Sequence, residues 1–157
     1  MTSGVTNVGK TKLLEMAFRN TYDTAAMDTS AAAFYLVLVT SAASFDANTL
    51  LFDTATQIDA VGIGMTDGGE AINRDATDWD VLTRDTSSNF GSLQLTDQEW
   101  TASATFPRSG SAKFAVLLDK NATIGSRDVL AWFNLTIGRS IGTGATLTLE
   151  DIEIKLT

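Results

Sequence analysis

Residues 112–137 decide the fold class of this chain. Two apolar runs, AKFAVLLD at 112–119 and VLAWFNLTI at 129–137, flank the polar stretch KNATIGSRD at 120–128. Short apolar runs bounded by turn residues are typical of buried strands, and Gly and Asn are residues that let a chain turn. We therefore predict two strands joined by a turn.

Similar strand signals recur along most of the chain. The run AFYLVLVT at 33–40 is apolar throughout, which predicts a strand covered on both faces. The end of the chain, TLTLEDIEIKLT at 146–157, alternates apolar and polar residues, and Glu150 and Asp151 break the phase by one residue. That pattern predicts two short strands or one bulged strand, half buried. Further predicted strands are QIDAVGI (57–63), DWDVLTR (78–84), GSLQLT (91–96) and EWTASATF (99–106).

One stretch near the start predicts a helix. In GKTKLLEMAFRNTY, the side chains of Leu13, Leu14, Ala17 and Phe18 fall on one helical face, so we expect a helix at about 8–20. Residues 1–10 are rich in Gly, Thr and Asn and predict a flexible N-terminal arm. The absence of strand–helix alternation after this region predicts a mainly β chain, a sandwich or a barrel, formed as a single domain over 1–157.

The composition limits the chemistry that the chain can carry. Its 157 residues include no cysteine and no histidine, which excludes disulfides, thiolate or histidine metal sites and catalysis by Ser-His-Asp or Cys-His groups. A net charge of −8 disfavours nucleic acid as a partner. No apolar run reaches the roughly 18 residues of a membrane span, and the first residues lack the apolar core of a signal peptide. We therefore expect synthesis in the cytoplasm and no membrane partner.

The residues GVTNVGKT, Gly4 to Thr11, match the G-x-x-x-x-G-K-T pattern of phosphate-binding loops. In a working loop a buried strand precedes the first glycine, and a helix follows the last residues of the pattern. Only three residues precede Gly4, which leaves no room for such a strand. We interpret the match as a coincidence and predict a chain without cofactor and without enzymatic activity.

The stretch MTDGGEAINRDATDWD at 65–80 is rich in Gly, Thr and Asp and is predicted to be the longest loop. It contains the densest group of acidic residues, Asp67, Glu70, Asp75, Asp78 and Asp80, with Asp85 close by. Closely spaced carboxylates are ligands for Ca²⁺, but the spacing differs from that of an EF-hand, and Arg74 and Arg84 lie close enough in sequence to neutralise the cluster. The preferred interpretation is a solvated loop with no metal, and a cation site is the alternative. A carboxylate pair for glycoside hydrolysis is a further alternative, although spacing along the chain does not define one.

Large aromatic side chains provide candidate surfaces for stacking on sugar rings. Trp132 lies inside an apolar run and is expected in the core. Trp100 lies beside a glutamate and Trp79 lies between two aspartates, so these two are the candidates for solvent-exposed aromatics, and Tyr35 is a further candidate for stacking. Because large aromatics in β-sandwiches are more often core than ligand platforms, a core role is the default for all of them.

The series AKFAVLLDK, DVLAWFNL and GTGATLTLEDIEIKLT resembles a group of small virion proteins of tailed bacteriophages. The segments GKTKLLEMAFRNT, FYLVLVTSA and RDATDWDVL precede it in the corresponding order, so the resemblance extends from about residue 8 to the end of the chain. It implies an antiparallel, jelly-roll-like β-sandwich. It also implies a capsid decoration or cement protein that forms homotrimers and binds the major capsid protein on the outer surface of the virion.

Within this interpretation, the arm at 1–10 is the expected segment of contact with a neighbouring subunit. Two alternatives from other classes stay open. One is a tail- or fibre-associated module that binds host glycan through an exposed tryptophan. The other is a small hydrolase with two facing carboxylates.

Overall fold

The computed structural model describes residues 3–6, 9, 34–58, 64, 66–73, 77–85, 90–105, 112–139 and 141–156. Ten strands lie within these ranges, together with 3-10 turns at Thr54–Thr56 and Ile124–Ser126. The strands are β1 Ser3–Val5, β2 Phe34–Thr40, β3 Glu70–Ile72, β4 Val81–Asp85, β5 Phe90–Leu95, β6 Gln98–Thr101, β7 Ala112–Asp119, β8 Val129–Arg139, β9 Thr146–Leu149 and β10 Ile152–Leu156.

The strands form three antiparallel sheets. The largest has five strands in the order β1-β8-β7-β2-β3, the second has the order β10-β5-β4, and the third pairs β6 with β9. Cα atoms of β1 and β10 approach within 8 Å, so the edge of the largest sheet lies next to the second sheet. The mainly β prediction is confirmed, and the packed antiparallel sheets are consistent with a β-sandwich.

The largest sheet is buried on both faces at its centre. In β2, Leu36, Val37, Leu38 and Val39 have no exposed surface. Because side chains alternate along a strand, Leu36 and Leu38 point to one face and Val37 and Val39 to the other. The prediction of a doubly covered strand at 33–40 is confirmed.

Two apolar clusters account for this burial. The main core packs Leu117 and Phe133 of the largest sheet against side chains of the smaller sheets, among them Leu95, Leu147 and Ile152. The outer cluster covers the opposite face of the largest sheet. It contains Val37, Val39, Val116, Leu118 and Val129, closed over by Phe52 and Phe45.

A bulge in β8 decides which face its first residues occupy. Leu117 pairs with Ala131 but Leu118 pairs with Val129, so Leu130 is an extra residue opposite β7. As a result Val129 packs in the outer cluster, whereas Leu130 and Ala131 both pack on the main core.

The predicted pair at 112–119 and 129–137 is confirmed as β7 and β8. The end of the chain forms the first of the two predicted alternatives, two short strands, β9 and β10. They belong to different sheets, and Asp151 between them has a positive φ of 57°.

Several predicted boundaries are wrong. Ser3–Val5 is not a free arm but an edge strand paired with β8, and β3 lies inside the segment predicted as a loop at 65–80. Asp78 to Asp80 precede β4 rather than starting it, and the strand predicted at 99–106 ends at Thr101. Three-residue strands such as SGV and EAI are too short to show a period, and backbone pairing with a long neighbour defines them.

Two predictions fall mainly outside the described residues. Of the helix predicted at about 8–20, Gly9 is the one described residue. Of the strand predicted at 57–63, residues 59–63 lie outside the described ranges. Within that second segment, Gln57 forms an isolated bridge to Val39, and Ile58 donates its N–H to the carbonyl of Leu38. In the described part of the chain, no helix has the length and apolar character that crossing a membrane requires.

Candidate interaction surface

The described residues of the GVTNVGKT pattern anchor the start of the chain to β8. Gly4 lies within β1 opposite Trp132, so a strand does occur here, contrary to expectation, and it contains the first glycine of the pattern. The Thr6 hydroxyl donates to the carbonyl of Val129 at 2.6 Å and accepts the N–H of Gly9 at 2.9 Å. A phosphate loop directs such amides at the ligand, whereas the Gly9 amide is bonded within the protein.

The acidic segment uses two of its carboxylates to shape its own turns. Glu70 accepts the N–H of Thr66 at 2.9 Å, and Asp78 accepts the N–H of Asn73 at 2.5 Å. Asp67 and Asp80 are exposed. Asp75 lies outside the described residues, as does the side chain of Asp85. Among the described residues, no three carboxylates are grouped as a cation site would require.

Arg127 is a buried cation that the sequence did not single out. Its side chain is 6% exposed and lies over the Tyr35 ring, with the guanidinium carbon 3.5 Å from the ring centre. It donates to the carbonyl of Gly68 at 2.7 Å and to the carbonyl of Asn121 at 3.0 Å. Arg127 therefore joins the turn at 66–69 to the loop before β8. The motif GSRD carries no signal for this role.

The charge of Arg127 is compensated from two sides. Burial lowers the pKa of Arg127 from its ordinary value, while Tyr35 and the buried Asp119 act in the opposite direction. Asp119 also accepts the N–H of Asp128 at 2.9 Å. Because all these groups bond to one another or to backbone, they stabilise the end of the sheet rather than face a ligand.

The two tryptophans that were candidates for exposure follow the default and are buried, whereas the one expected in the core is partly exposed. Trp79 and Trp100 are 8% and 4% exposed and belong to the main core, whereas Trp132 is half-buried and lies against Gly4. Neighbouring residues in a strand point to opposite faces. The exposed Glu99 therefore indicates that its neighbour Trp100 is buried. Ala131 and Phe133 point into the main core, so Trp132 between them points to the opposite face of the sheet. Tyr35 is half-buried beneath Arg127.

In the described part of the chain, Leu50 and Leu51 are the most exposed large apolar side chains, and they precede the buried Phe52. Leu50 and Leu51 are 59% and 55% exposed, and in the described chain the other large apolar side chain with comparable exposure is Val81. The Leu50 carbonyl accepts the N–H of Val129 at 2.8 Å, and the Phe52 N–H donates to the carbonyl of Arg127 at 2.9 Å. We call Leu50, Leu51 and Phe52, held in this way, the 50–52 edge.

The 50–52 edge continues the line of β1 along β8. Leu51 forms an antiparallel bridge with Asp128, and Thr6 and Val5 follow opposite Leu130 and Ala131. A three-residue edge after a turn shows no periodicity, so the sequence pattern does not predict it. The local signal that remained was the pair of leucines in an otherwise polar stretch.

Comparison with protein-family models, with curated proteins and with solved structures gives no match to this chain.

Proposed function

We propose that this chain is a structural protein of a tailed-bacteriophage virion, a capsid decoration or cement protein that binds the outer shell as an oligomer. Its partners are the major capsid protein and other copies of itself, and a homotrimer is the expected assembly. The jelly-roll-like strand order and the helix at about 8–20 belong to this proposal. The resemblance of residues 8–157 to small virion proteins motivates it.

The observation that carries the proposal furthest is the 50–52 edge. Two leucines that are more than half exposed are held on a hydrogen-bonded backbone, so little conformational entropy is lost when a partner covers them. Full burial of a leucine side chain contributes about 1.5–3 kcal/mol. An adhesive protein needs such a surface on a rigid sheet.

The internal use of the polar candidates also supports an adhesive function. Thr6, Glu70 and Asp78 bond to backbone groups of their own segments, and Arg127 is buried between two loops. These polar groups stabilise the local structure of the described part of the chain. An adhesive protein binds its partner through surface contacts and needs no reactive side chain.

Immunogold electron microscopy of the source particles tests the proposal. Antibody against this chain is expected to label the heads evenly, and sedimentation of the purified chain is expected to give a trimer. Particles that stay unlabelled both intact and after denaturation, although the antibody recognises the purified chain, would contradict the virion assignment.

A host glycan-binding module of the tail or fibre is the alternative. Burial of Trp79 and Trp100 removes the two residues that first suggested it, and the half-buried Trp132 is the aromatic that could replace them. Gold confined to tails, together with glycan binding that Trp132→Ala abolishes, is the result that would favour this alternative.

A further inference from the structure

We infer that the 50–52 edge is a strand-pairing surface, and that its occupant is an extended apolar segment of another protein flanked by Lys or Arg. The inference rests on the proposed adhesive function and adds to it the surface and the chemistry of the partner. Three properties of the edge support it: the direction of its backbone groups, the two leucine side chains and the flanking charge.

The backbone of Leu51 faces away from β8. In the antiparallel bridge of Leu51 with Asp128, the hydrogen bonds are made by the residues on either side, from Val129 N–H to the Leu50 carbonyl and from Phe52 N–H to the Arg127 carbonyl. The N–H and C=O of a residue in such a pair point to the opposite side of its strand. On Asp128 they point to Asp119, which bonds both of them. On Leu51 they point outwards, where an added strand makes its bonds.

The leucine side chains provide the apolar contact for that strand. Successive side chains of an extended segment point to opposite faces, so Leu50 and Leu51 present one apolar surface on each face of the edge. Phe52 follows in the outer cluster at 3% exposure and fixes the segment to the sheet. An incoming strand contacts Leu51 with the side chains of one of its faces and Leu50 with the side chains of the other. Strand addition combines backbone bonds with side-chain contacts in this way.

The flanking charge selects the partner. Asp53 follows Phe52 directly, and the turn at 46–49 holds the exposed Asp46 beside Thr49, with Thr49 N–H donating to the Asp46 carbonyl at 3.2 Å. Pairing two copies would bring together both carboxylates of each copy, in chains that each carry a net charge of −8. Like charges across an interface oppose association, and complementary charges favour it. The edge therefore fits a segment with basic flanks better than a second copy of itself.

A synthetic peptide provides the test. The probe is Lys-Lys-Val-Thr-Val-Thr-Val-Lys-Lys carrying a fluorophore, with three matched controls. The first control has Glu in place of every Lys. The second is N-methylated at two consecutive central residues and so lacks one central backbone donor on each edge. The third is a scrambled sequence without alternation. Binding to the full chain is measured by fluorescence anisotropy, and hydrogen exchange locates the peptide.

The expected result is saturable binding of the basic peptide, with new protection of the Leu51 amide. Binding is expected to weaken roughly tenfold or more with the acidic or N-methylated peptide. The variant Leu50→Thr/Leu51→Thr is expected to lose a similar factor, because each apolar contact contributes a substantial part of the affinity. Val81→Thr, which removes an exposed apolar side chain from β4, is the control and is expected to bind as the parent chain does.

Three results would overturn the inference. One is equal binding of the peptide to Leu50→Thr/Leu51→Thr, and another is protection that appears on β4 or elsewhere instead of at Leu51. The third is a dimer of the free chain that Leu50→Thr/Leu51→Thr dissociates, because a second copy would then occupy the edge.

The inference and the proposed function fail separately. If phage heads bind the parent chain and the Leu50→Thr/Leu51→Thr variant equally well, the decoration function is supported and the 50–52 edge is rejected as the binding surface. If the peptide binds at Leu51 but the particles never contain the chain, the strand-pairing surface is supported and the virion function is rejected.

Discussion

The guanidinium carbon of Arg127 lies 3.5 Å from the centre of the Tyr35 ring, in a position where Arg127 also holds the carbonyl of Gly68. A buried cation over an aromatic face is stabilised by the ring and by hydrogen bonds that replace water. The contact connects the start of β2 with the turn at 66–69 and the loop before β8.

Arg127→Met is expected to lower the free energy of unfolding by about 3 kcal/mol, because it removes the cation and leaves two carbonyls without their donor. Urea denaturation checks the loss. Arg127→Lys keeps the charge but loses the planar guanidinium group, so its free energy of unfolding is expected to lie between those of Arg127→Met and the parent. Tyr35→Phe keeps the ring but removes the hydroxyl that bonds to Arg127, and it is expected to destabilise less than Arg127→Met. A midpoint for Arg127→Met equal to that of the parent would show that the contact contributes nothing.

Gly4 is required where the Trp132 ring crosses β1. A Cβ atom on Gly4 would lie 2.5 Å from ring atoms Cη2 and Cζ2 of Trp132, so Gly4→Ala is expected to destabilise by about 1–3 kcal/mol. Gly91→Ala in β5 is the matched control, because a Cβ there has open space around it. Thermal melting compares the two, and the second change Trp132→Leu is expected to restore most of the stability of Gly4→Ala. Equal melting temperatures for Gly4→Ala and Gly91→Ala would contradict the steric account.

Thr6 satisfies two backbone groups at the bulge of β8. Thr6→Val leaves the Gly9 N–H and the Val129 carbonyl without this partner and is expected to cost about 1–3 kcal/mol. Thr6→Ser keeps the hydroxyl and is the control. Hydrogen exchange of the Gly9 amide provides the second measurement: its protection is expected to fall in Thr6→Val and to persist in Thr6→Ser. Unchanged protection in both variants would mean that the hydroxyl does not hold this amide.

Gly69 combines a positive φ with a close approach. Its φ is 103°, and a Cβ would lie 2.6 Å from the Leu36 carbonyl oxygen, so Gly69→Ala is expected to cost roughly 3 kcal/mol. Gly144→Ala separates the two effects, because Gly144 has a φ of 80° with open space around it and is expected to cost about 1–2 kcal/mol. Chemical denaturation of both variants measures the difference. A Gly69→Ala protein as stable as Gly144→Ala would remove the steric part.

Glu153 contributes a pH-dependent stability to the β5–β10 pair. A hydrogen bond from the Ser92 hydroxyl, and to a smaller extent Lys155, lowers the pKa of Glu153 below its ordinary value of 4.5, although partial burial opposes this. A carboxyl whose folded-state pKa is depressed stabilises the protein above its unfolded-state pKa, and this contribution is lost as the pH falls through the folded-state value. Ser92→Ala is therefore expected to destabilise at pH 7 and to lose most of that effect in acid, where Glu153 is protonated in the folded state as well. Urea midpoints measured at pH 7 and in acid check this. Glu153→Gln provides the control, since Ser92→Ala in that background is expected to have the same effect at both pH values.

The strands with the clearest patterns were predictable. The apolar runs at 34–40, 112–119 and 129–137 and the alternation at 146–156 are local properties, since the period of burial along a strand is written in adjacent residues. The tryptophans follow the same rule. Trp100 was named as a candidate for exposure because of its acidic neighbour, although such a neighbour indicates burial, and the prediction that Trp132 lies in the core is wrong. The candidate surface was not predicted. Nothing next to Leu51 in the sequence indicates that Asp128 lies opposite it.

By itself, the sequence determined that this protein is mainly built from β-strands and contains a doubly covered strand at 34–40, since apolar period and run length depend only on neighbours along the chain. The tertiary structure alone decided that Ser3–Val5 pairs with β8, that Arg127 is buried over Tyr35, and that Leu50 and Leu51 stay exposed on an edge. Each of these depends on backbone hydrogen bonds or packing between residues far apart in sequence, and such contacts are selected by the competition among all strands for partners when the sheets assemble.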